Sequence, residues 1–281
     1  EIYTILFVAA SDVYKRQFLY SGFVVIAALY LWMMFEARYN KFSQKVGTFA
    51  FIWRVILTTG TGSIFGFLVA KEAYNGAILA PLFIALSLLL GTAIFYKVLF
   101  WMNKGLNIPL GSEIILRFRK LLIYFTFAVF YLTILSHLTN LYATKHHEYE
   151  FFLLFSGNIY TILFWIGQIL IGTFIPLLIL YSKNFSTTKM GLLISSALII
   201  LGGFFQLYVI IISGQAFPLD LFPGYTESSS FQDGIISPYT PSMYEFMLGL
   251  GGIGISAVIY IFAIMILDFT PKSLDNDALK N

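Results

Sequence analysis

The sequence contains no cysteine and few charged residues, and both shortages narrow what the protein can be. Without a thiolate in its 281 residues, the chain cannot itself hold a cysteine-ligated iron–sulfur cluster, form a disulfide or use thiolate catalysis. Charged residues make up 11% and hydrophobic residues 59% of the chain, with a mean hydropathy of +0.83. Soluble domains carry about 25% charged residues. The composition therefore predicts a polytopic membrane protein, and a net charge of +3 is too small to indicate nucleic-acid binding.

Histidine is scarce as well, with three in the chain. His146 and His147 fall in a polar loop, where we expect solvated side chains rather than ligands. Because a membrane haem b usually needs paired axial histidines and only His137 lies in a predicted helix, we expect no internal haem. A metal site formed by the loop histidines with Glu148 and Glu150 is a weaker alternative, since a flexible loop is a poor setting for metal ligands.

Long apolar runs are what the sequence does contain. A spanning helix needs about 20 mainly apolar residues, and backbone at membrane depth must satisfy its own hydrogen bonds, so runs of this length favour helices over barrel strands. The expected fold is therefore all-α, a polytopic transmembrane helix bundle with no soluble domain. The seven predicted spans are Phe18–Phe35, Thr48–Ala70, Ala77–Leu99, Leu121–Leu141, Asn158–Tyr181, Gly191–Ser213 and Glu245–Leu267.

The distribution of Lys and Arg predicts the direction of these helices. Basic residues alternate across all seven spans, twelve on one side against two on the other. We therefore expect a cytoplasmic C-terminus and acidic loops on the outer side. The two outer basic residues are Lys71 and Lys145. The twelve on the cytoplasmic side are Arg38, Lys41, Lys45, Lys97, Lys104, Arg117, Arg119, Lys120, Lys183, Lys189, Lys272 and Lys280.

The N-terminal stretch has a composition of its own. Ser11–Gln17 reads SDVYKRQ, which resembles the translation of a transposon-end adapter used in preparing sequencing libraries. We interpret residues 1–17 as an unreliable segment and residues 18–281 as one integral membrane domain. Under this interpretation the natural protein has helices ahead of Phe18 that are missing here. An ordinary short basic loop is the alternative.

Polar side chains at membrane depth are costly and are therefore the first functional candidates. His137 lies near the outer end of the fourth span, with Asn140 one turn further on. Imidazole titrates near neutrality and can donate or accept hydrogen bonds, which suits a quinone carbonyl and its proton. A histidine satisfied by a neighbouring helix is the alternative, and the sequence leaves both open.

Arg54 and Gln168 are the other polar candidates inside spans. Arg54 lies less than two turns from the predicted cytoplasmic end of its helix, where a long side chain can reach the headgroups. Snorkelling or a helix–helix ion pair is one interpretation of Arg54, and a proton or ligand path is the other. Gln168 lies at mid-depth one turn from Trp165, where both can face a ligand or simply pack, and Pro176 is expected to kink the same helix.

The last span begins with a capping pattern and continues with glycines. Ser242 and Glu245 form S-x-x-E directly before the apolar run, so Glu245 has a structural role with which proton uptake can coexist. Gly249, Gly252 and Ser256 make a small-residue stripe suited to tight helix packing. The G-x-G-x-x-G match in this run lacks the preceding strand that a dinucleotide site needs.

Three stretches resemble the NrfD/polysulfide reductase membrane-subunit family. Within that family they look nearest to membrane subunit P of the complex associated with dissimilatory sulfite reduction. The stretches are YTPSMYEFMLGLGG at Tyr239–Gly252, PLFIALSLLLGTAIF at Pro81–Phe95 and LFWIGQILIGTFIPLLIL at Leu163–Leu180.

The resemblance implies a haem-free, quinone-interacting membrane subunit of a respiratory oxidoreductase in the bacterial inner membrane. Electrons would pass between a quinone, menaquinone or ubiquinone, and a periplasmic ferredoxin-like iron–sulfur subunit docked at the outer face beside further subunits. The chain would carry no haem or iron–sulfur cluster and would not be catalytic alone. A secondary transporter, whose broken helices and repeats are not visible here, and a passive anchor without a quinone site are the alternatives.

Two sets of site residues follow as expectations, with no catalytic or metal-ligating residue among them. His137 and Asn140 would hydrogen-bond the quinone, and tyrosines would line its amphipathic entrance, where tyrosine is favoured. The quinone-binding set is His137, Asn140, Tyr142, Tyr239 and Tyr244. The proton-path set is Arg54, Gln168 and Glu245.

Overall fold

The described part of the chain is helical, and seven of its helices are long and apolar enough to cross a membrane. The computed structural model describes residues 2–36, 38–68, 71–74, 76–105, 111–182, 185, 188–218, 235–237 and 239–266, with side chains from residue 17 onwards. The predicted all-α polytopic bundle is confirmed. The helices are α1 (Ile2–Phe35), α2 (Ser43–Gly66), α3 (Leu79–Gly105), α4 (Ser112–Tyr142), α5 (His147–Leu154), α6 (Ile159–Tyr181), α7 (Lys189–Ala216) and α8 (Met243–Ile266).

Several helices extend beyond the spans that hydropathy predicts. The helix α2 begins at Ser43 rather than Thr48, and α4 begins at Ser112 rather than Leu121. The first turns of α4 are charged, and Arg117 Nη2 donates to Glu113 Oε1 at 2.5 Å across one turn. Hydropathy detects only the apolar part of a helix, whereas backbone hydrogen bonding continues into its polar ends.

The helix α3 lies at the centre and packs against α2, α4 and α7, while α6 packs along α7 and α1 lies on α2. Glycines allow two of these contacts. A Cβ on Gly62 would lie 2.7 Å from the Cα of Ala80, and one on Gly172 would lie 2.6 Å from the Cα of Gly202. Gly62 and Gly66 have the G-x-x-x-G spacing that permits close helix approach, and Gly172 lies equally close to α7.

We call the end of the bundle that carries α5 the α5 end. A short loop, residues 71–74, is hydrogen-bonded to its neighbours there. Tyr74 donates its hydroxyl to the Ile211 carbonyl at 2.9 Å, and Lys71 donates to the Phe217 carbonyl at 2.9 Å. His146 Nδ1 lies 2.6 Å from the Glu72 carbonyl oxygen. The expectation that His146 is solvated is therefore wrong, since it is buried and holds this loop.

The helix α6 changes its hydrogen-bonding register along its length. Residues Leu163–Phe174 form π-helical turns, and ordinary α-helix resumes over Ile175–Tyr181. Pro176 stands at this change, and proline has no N–H to donate to the preceding turn. The proline expected to kink the helix thus marks a register change, of a kind that is frequent at functional sites.

The helix α8 has no buried residue in the described part of the chain. Its predicted capping box is confirmed, since Glu245 Oε2 accepts from the Ser242 backbone N–H at 2.7 Å and Glu245 N–H donates to Ser242 Oγ at 3.3 Å. Added Cβ atoms on Gly249 and Gly252 would meet no described atom within 4 Å. Packing of this small-residue stripe stays a prediction. The long loop 219–234, predicted to face outwards, lies outside the described residues.

Candidate functional site

A histidine, an asparagine and a glutamate meet where α5 folds back on α4. His137 and Asn140 are three residues apart and therefore share a face of α4. His137 Nδ1 lies 2.8 Å from Glu150 Oε2, and Asn140 Nδ2 donates to Glu150 Oε1 at 2.8 Å. Both carboxylate oxygens of Glu150 are thus engaged by the two α4 side chains. The structure brings the two predicted residues together around a third.

Glu150 is fully buried because of the way the chain leaves α4. Ala143 is extended, a 3-10 turn over Thr144–His146 follows, and α5 then runs back against the bundle. The interpretation of Glu150 as a weak metal candidate in a flexible loop misses this contact. The apolar spacing from Tyr149 through Phe152 and Leu153 in this stretch fits a short amphipathic helix, which is the signal that would have found it.

A small polar cavity lies on one side of this cluster. Its volume is about 40 Å³, room for a few water molecules at about 10–15 Å³ each. Gln168, predicted from the sequence as a polar group at mid-depth, is buried and lines it. Gln206 also lines it and donates to Thr133 Oγ1 at 3.1 Å. The polar lining residues are Thr133, Ser136, His137, Asn140, Tyr149, Glu150, Gln168 and Gln206.

Tyr149 joins this cavity to α7. Its hydroxyl lies 2.8 Å from Ser213 Oγ, and Ser213 donates to the Val209 carbonyl at 2.5 Å. Burial raises the pKa of the Tyr149 phenol above its usual range. The phenol is therefore protonated at neutral pH, and with the Ser213 hydrogen committed to Val209, Tyr149 is the donor in this pair.

An apolar cleft lies on the other side of His137. Its volume is about 310 Å³, within the range of small-molecule sites. His137 and Thr133 line both the cleft and the polar cavity. The ring of Phe164 meets the imidazole edge-on with centroids 4.9 Å apart. The other lining residues are Phe130, Ile134, Leu138, Leu141, Leu154, Trp165, Ile169 and Phe174.

The remaining predicted site residues lie elsewhere. Tyr142 ends α4 with 91% of its surface exposed, and neither Tyr239 nor Tyr244 is among the residues that line the cleft. Arg54 lines a different cleft, and Glu245 caps α8. Their expected roles at a quinone entrance and in a proton path stay predictions.

The described residues do not gather a metal site. Among them, no group of three or more His, Asp or Glu side chains is close enough to hold a metal ion. His146 is bonded to Glu72 and His147 Nε2 to the Leu141 carbonyl, while Glu150 faces α4. Three of the four residues considered for metal binding, His146, His147 and Glu150, therefore face different partners.

Comparison with known proteins identifies the family. Residues 2–219, most of the chain, match the family described as Polysulphide reductase, NrfD. The chain belongs to the NrfD family. The matched range contains α1 to α7 and hence the whole His137–Asn140–Glu150 cluster with both cavities. The membership predicted from sequence motifs is confirmed, and the NrfD chain is an integral, multi-pass membrane protein.

Two curated relatives of this NrfD chain are subunits of redox complexes by name. It is 26% identical over 261 residues to the Hdr-like menaquinol oxidoreductase integral membrane subunit of Archaeoglobus fulgidus, covering 92% of this chain and 65% of the relative. It is 28% identical over 210 residues to a subunit of the selenate reductase of Mesobacillus selenatarsenatis, covering 74% of this chain and 46% of the relative. The chain thus spans less than two thirds of either relative.

Proposed function

We propose that this NrfD chain binds a quinone in the apolar cleft and serves as the quinone-interacting membrane subunit of an oxidoreductase complex. The observation that carries the proposal is the position of His137. Its imidazole borders an apolar cleft on one side and a buried, hydrogen-bonded carboxylate on the other. The name of the Archaeoglobus relative, a menaquinol oxidoreductase subunit, supports the same class of ligand.

The chemistry of the cleft fits a quinone. A quinone has a flat, largely apolar ring and two carbonyl oxygens, so it needs apolar walls and few polar contacts. The cleft has aromatic and aliphatic walls, and its polar lining side chains are His137, Thr133 and the Trp165 indole. Because the Trp165 N–H is donated to the Leu154 carbonyl at 3.0 Å, His137 and Thr133 are the groups placed to contact a carbonyl oxygen.

The cluster is also suited to moving a proton. When bound, a quinone supplies two-electron, two-proton redox chemistry. With Nδ1 directed at Glu150, the imidazole has Nε2 left for a ligand, and no described residue hydrogen-bonds it. His137 can therefore take a proton at Nε2 and release the one at Nδ1 to Glu150. Asn140 holds the other carboxylate oxygen, and the polar cavity offers water to carry the proton away.

The electron partner belongs to the same proposal. An iron–sulfur subunit at the α5 end would lie near the cluster, since α5 itself carries Glu150. That end displays apolar side chains, among them Phe151 and Ile236, around an open groove of about 470 Å³. We also propose that the chain is most similar to subunit P of the sulfite-reduction-associated complex. In this proposal the α5 end lies on the outer, periplasmic side of the membrane, and the C-terminus is cytoplasmic.

The proposal is tested with His137→Ala in the assembled complex, by quinol turnover and by binding of a quinone-site inhibitor. We expect turnover to fall about a hundredfold, the scale of a lost proton-transfer group, and inhibitor binding to weaken. The matched control is His147→Ala, which removes an exposed imidazole from α5. If His137→Ala changes neither quantity, the chain is a passive anchor or a transporter and the proposal is wrong.

A further inference from the structure

Thr133 and His137 border both the polar cavity and the apolar cleft. They are four residues apart, so they lie one above the other on the same face of α4, with Cβ atoms about 5–6 Å apart. The proposed function gives His137 a quinone oxygen to contact. Thr133 presents a second polar group to the same cleft, one helical turn away.

The hydroxyl of Thr133 is bonded differently from those of the other threonines of α4. Thr126 and Thr139 donate their hydroxyl hydrogens to carbonyls one turn earlier, at 2.6 and 2.7 Å, as threonines within helices commonly do. Thr133 Oγ1 instead accepts from Gln206 Nε2 of α7 at 3.1 Å. It has no other hydrogen-bond partner among the described residues. The hydroxyl hydrogen of Thr133 is therefore left to donate.

Gln206 sets the direction of that hydrogen. An amide N–H can only donate, so the Thr133 oxygen is the acceptor of the bond between them. Both side chains are buried, with 3% of their surface exposed. Gln206 lines the polar cavity and is not among the residues that line the cleft. A hydroxyl that accepts from the cavity side has its own hydrogen available on the cleft side.

The spacing of the two polar groups matches one class of quinone. A para-quinone has its carbonyl oxygens at opposite ends of a six-membered ring, a span close to one helical turn of about 5.4 Å. An ortho-quinone has them on adjacent carbons, too close together to reach both Thr133 and His137. The remaining walls of the cleft are apolar apart from the Trp165 indole, whose N–H is already donated to the Leu154 carbonyl.

We propose that Thr133 is a second ligand-binding residue of the apolar cleft. Its hydroxyl donates to one carbonyl oxygen of a para-quinone while His137 contacts the other, so the carbonyl axis of the ring runs along α4. Gln206 is a positioning residue, which acts on the ligand through Thr133. This inference rests on the proposed function and adds to it the orientation of the ring and a preference for para- over ortho-quinones.

Isotope-edited infrared spectroscopy of menadione, a para-naphthoquinone, bound to the assembled complex tests the role of Thr133. An isotope label at one carbonyl or the other separates the two C=O stretches, and a hydrogen bond lowers the frequency of each. We expect both bands to be lowered in the wild type and in Thr133→Ser. Thr133→Val, which keeps the shape of the side chain, should return one band to the frequency of unbound menadione.

Thr139→Val is the matched control, because Thr139 is an exposed threonine of the same helix whose hydroxyl is bonded to the Leu135 carbonyl. It should leave both bands lowered. One band at the unbound frequency in the wild type, or two lowered bands in Thr133→Val, overturns the role of Thr133 and leaves the quinone site standing. Absence of bound menadione in the wild type contradicts the proposed function itself, and this inference with it.

The choice of ligand gives a second readout in the unaltered protein. Competition with a tritiated short-chain menaquinone should show that menadione binds about fivefold more tightly than methyltetralone, the corresponding mono-ketone, because it makes one more hydrogen bond. Thr133→Val should remove this difference by weakening menadione alone, which a general loss of packing would not do. Equal affinity of the wild type for the two compounds contradicts a second carbonyl contact.

Gln206→Met tests the positioning role. Methionine removes the amide donor at similar length, so the Thr133 hydroxyl can turn to the carbonyl one turn earlier in α4, as Thr126 does. We expect menadione to remain bound with one carbonyl band moved towards the unbound frequency. Two bands at their wild-type frequencies in this variant show that Gln206 does not position Thr133.

Discussion

At the scale of single residues, the central feature is a buried carboxylate with both oxygens occupied. Glu150 has no exposed surface, yet His137 and Asn140 each contact one of its oxygens at 2.8 Å. Removing a carboxylate from water is costly and is offset only by good partners. Such a costly arrangement is consistent with a role in proton transfer rather than in packing.

Replacing Glu150 by Gln separates its shape from its charge. The amide keeps most of the volume but cannot take up the proton that we assign to the carboxylate. We therefore expect Glu150→Gln to lower quinol turnover at least about tenfold, with the complex still assembled. Steady-state turnover with a quinol analogue measures this.

Glu113→Gln is the control, because Glu113 is a partly exposed carboxylate of α4 that lines neither the polar cavity nor the apolar cleft at His137. It is expected to leave turnover unchanged. A Glu150→Gln enzyme with wild-type turnover would contradict the assignment of Glu150 as proton acceptor.

There is a physical reason why some residues of the cluster can be predicted from sequence and Glu150 cannot. His137, Asn140 and Gln168 could be found because each is a polar side chain inside an apolar run, where burial is already implied. Glu150 lies in a polar-looking stretch between spans, and its burial depends on α5 folding back on α4. The apolar spacing around Glu150 indicates a short amphipathic helix, but the contact with α4 is tertiary and cannot be read from that local pattern.

At the scale of elements, two glycines set how closely α6 and α7 pack. A Cβ on Gly172 would meet the backbone of Gly202, which cannot move aside as a side chain can. We expect Gly172→Ala to lower the free energy of unfolding by about 1–3 kcal/mol. Thermal unfolding of the purified protein measures the change.

The matched control for this packing prediction is Gly249→Ala in α8, where an added methyl group would meet no described atom. It is expected to cause no loss of stability, since alanine favours helix more than glycine does. Equal destabilisation by both variants would show that α6 and α7 do not depend on this close approach.

Tyr74, in the loop at the α5 end, predicts that the stability of the protein depends on pH in the alkaline range. Burial raises the pKa of Tyr74 from 10.0 to about 12. A folded-state pKa above the unfolded value contributes stability that is fully present below pH 10 and is lost as the pH rises through about 12. We therefore expect thermal stability to decline across this window.

Tyr74→Phe checks the assignment, because it removes the ionisable group together with the hydrogen bond to the Ile211 carbonyl. The variant should be less stable at neutral pH by about 1 kcal/mol but lose less stability between pH 10 and 12. If the variant loses as much stability between pH 10 and 12 as the wild type does, other groups cause that loss.

The existence of the seven spans was predictable from sequence, whereas their ends and the short helix α5 were not. All seven spans follow from runs of about 20 apolar residues. The start of α2 at Ser43 and the π-helical turns of Leu163–Phe174 do not, because backbone register carries no hydropathy signal. The earlier start of α2 places Arg54 11 residues after the first residue of its helix.

At the scale of the whole molecule, two clefts of different character open from one bundle. The apolar cleft at His137 lies between α4 and α6, and the cleft that Arg54 lines lies between α1, α2, α3 and α7. The His137 cleft has a mainly apolar lining, whereas Arg54 and four hydroxyl side chains are among the residues that line the other cleft.

The most direct measurement of the central claim is photolabelling of the assembled complex with an azidoquinone, followed by mapping of the labelled peptides. We predict labelling of the α4 and α6 residues that line the apolar cleft, such as Ile134, Leu138 and Trp165. Excess menaquinone should abolish the label, and His137→Ala should weaken it. Label confined to other surfaces, or unaffected by competing quinone, would contradict a quinone site at His137.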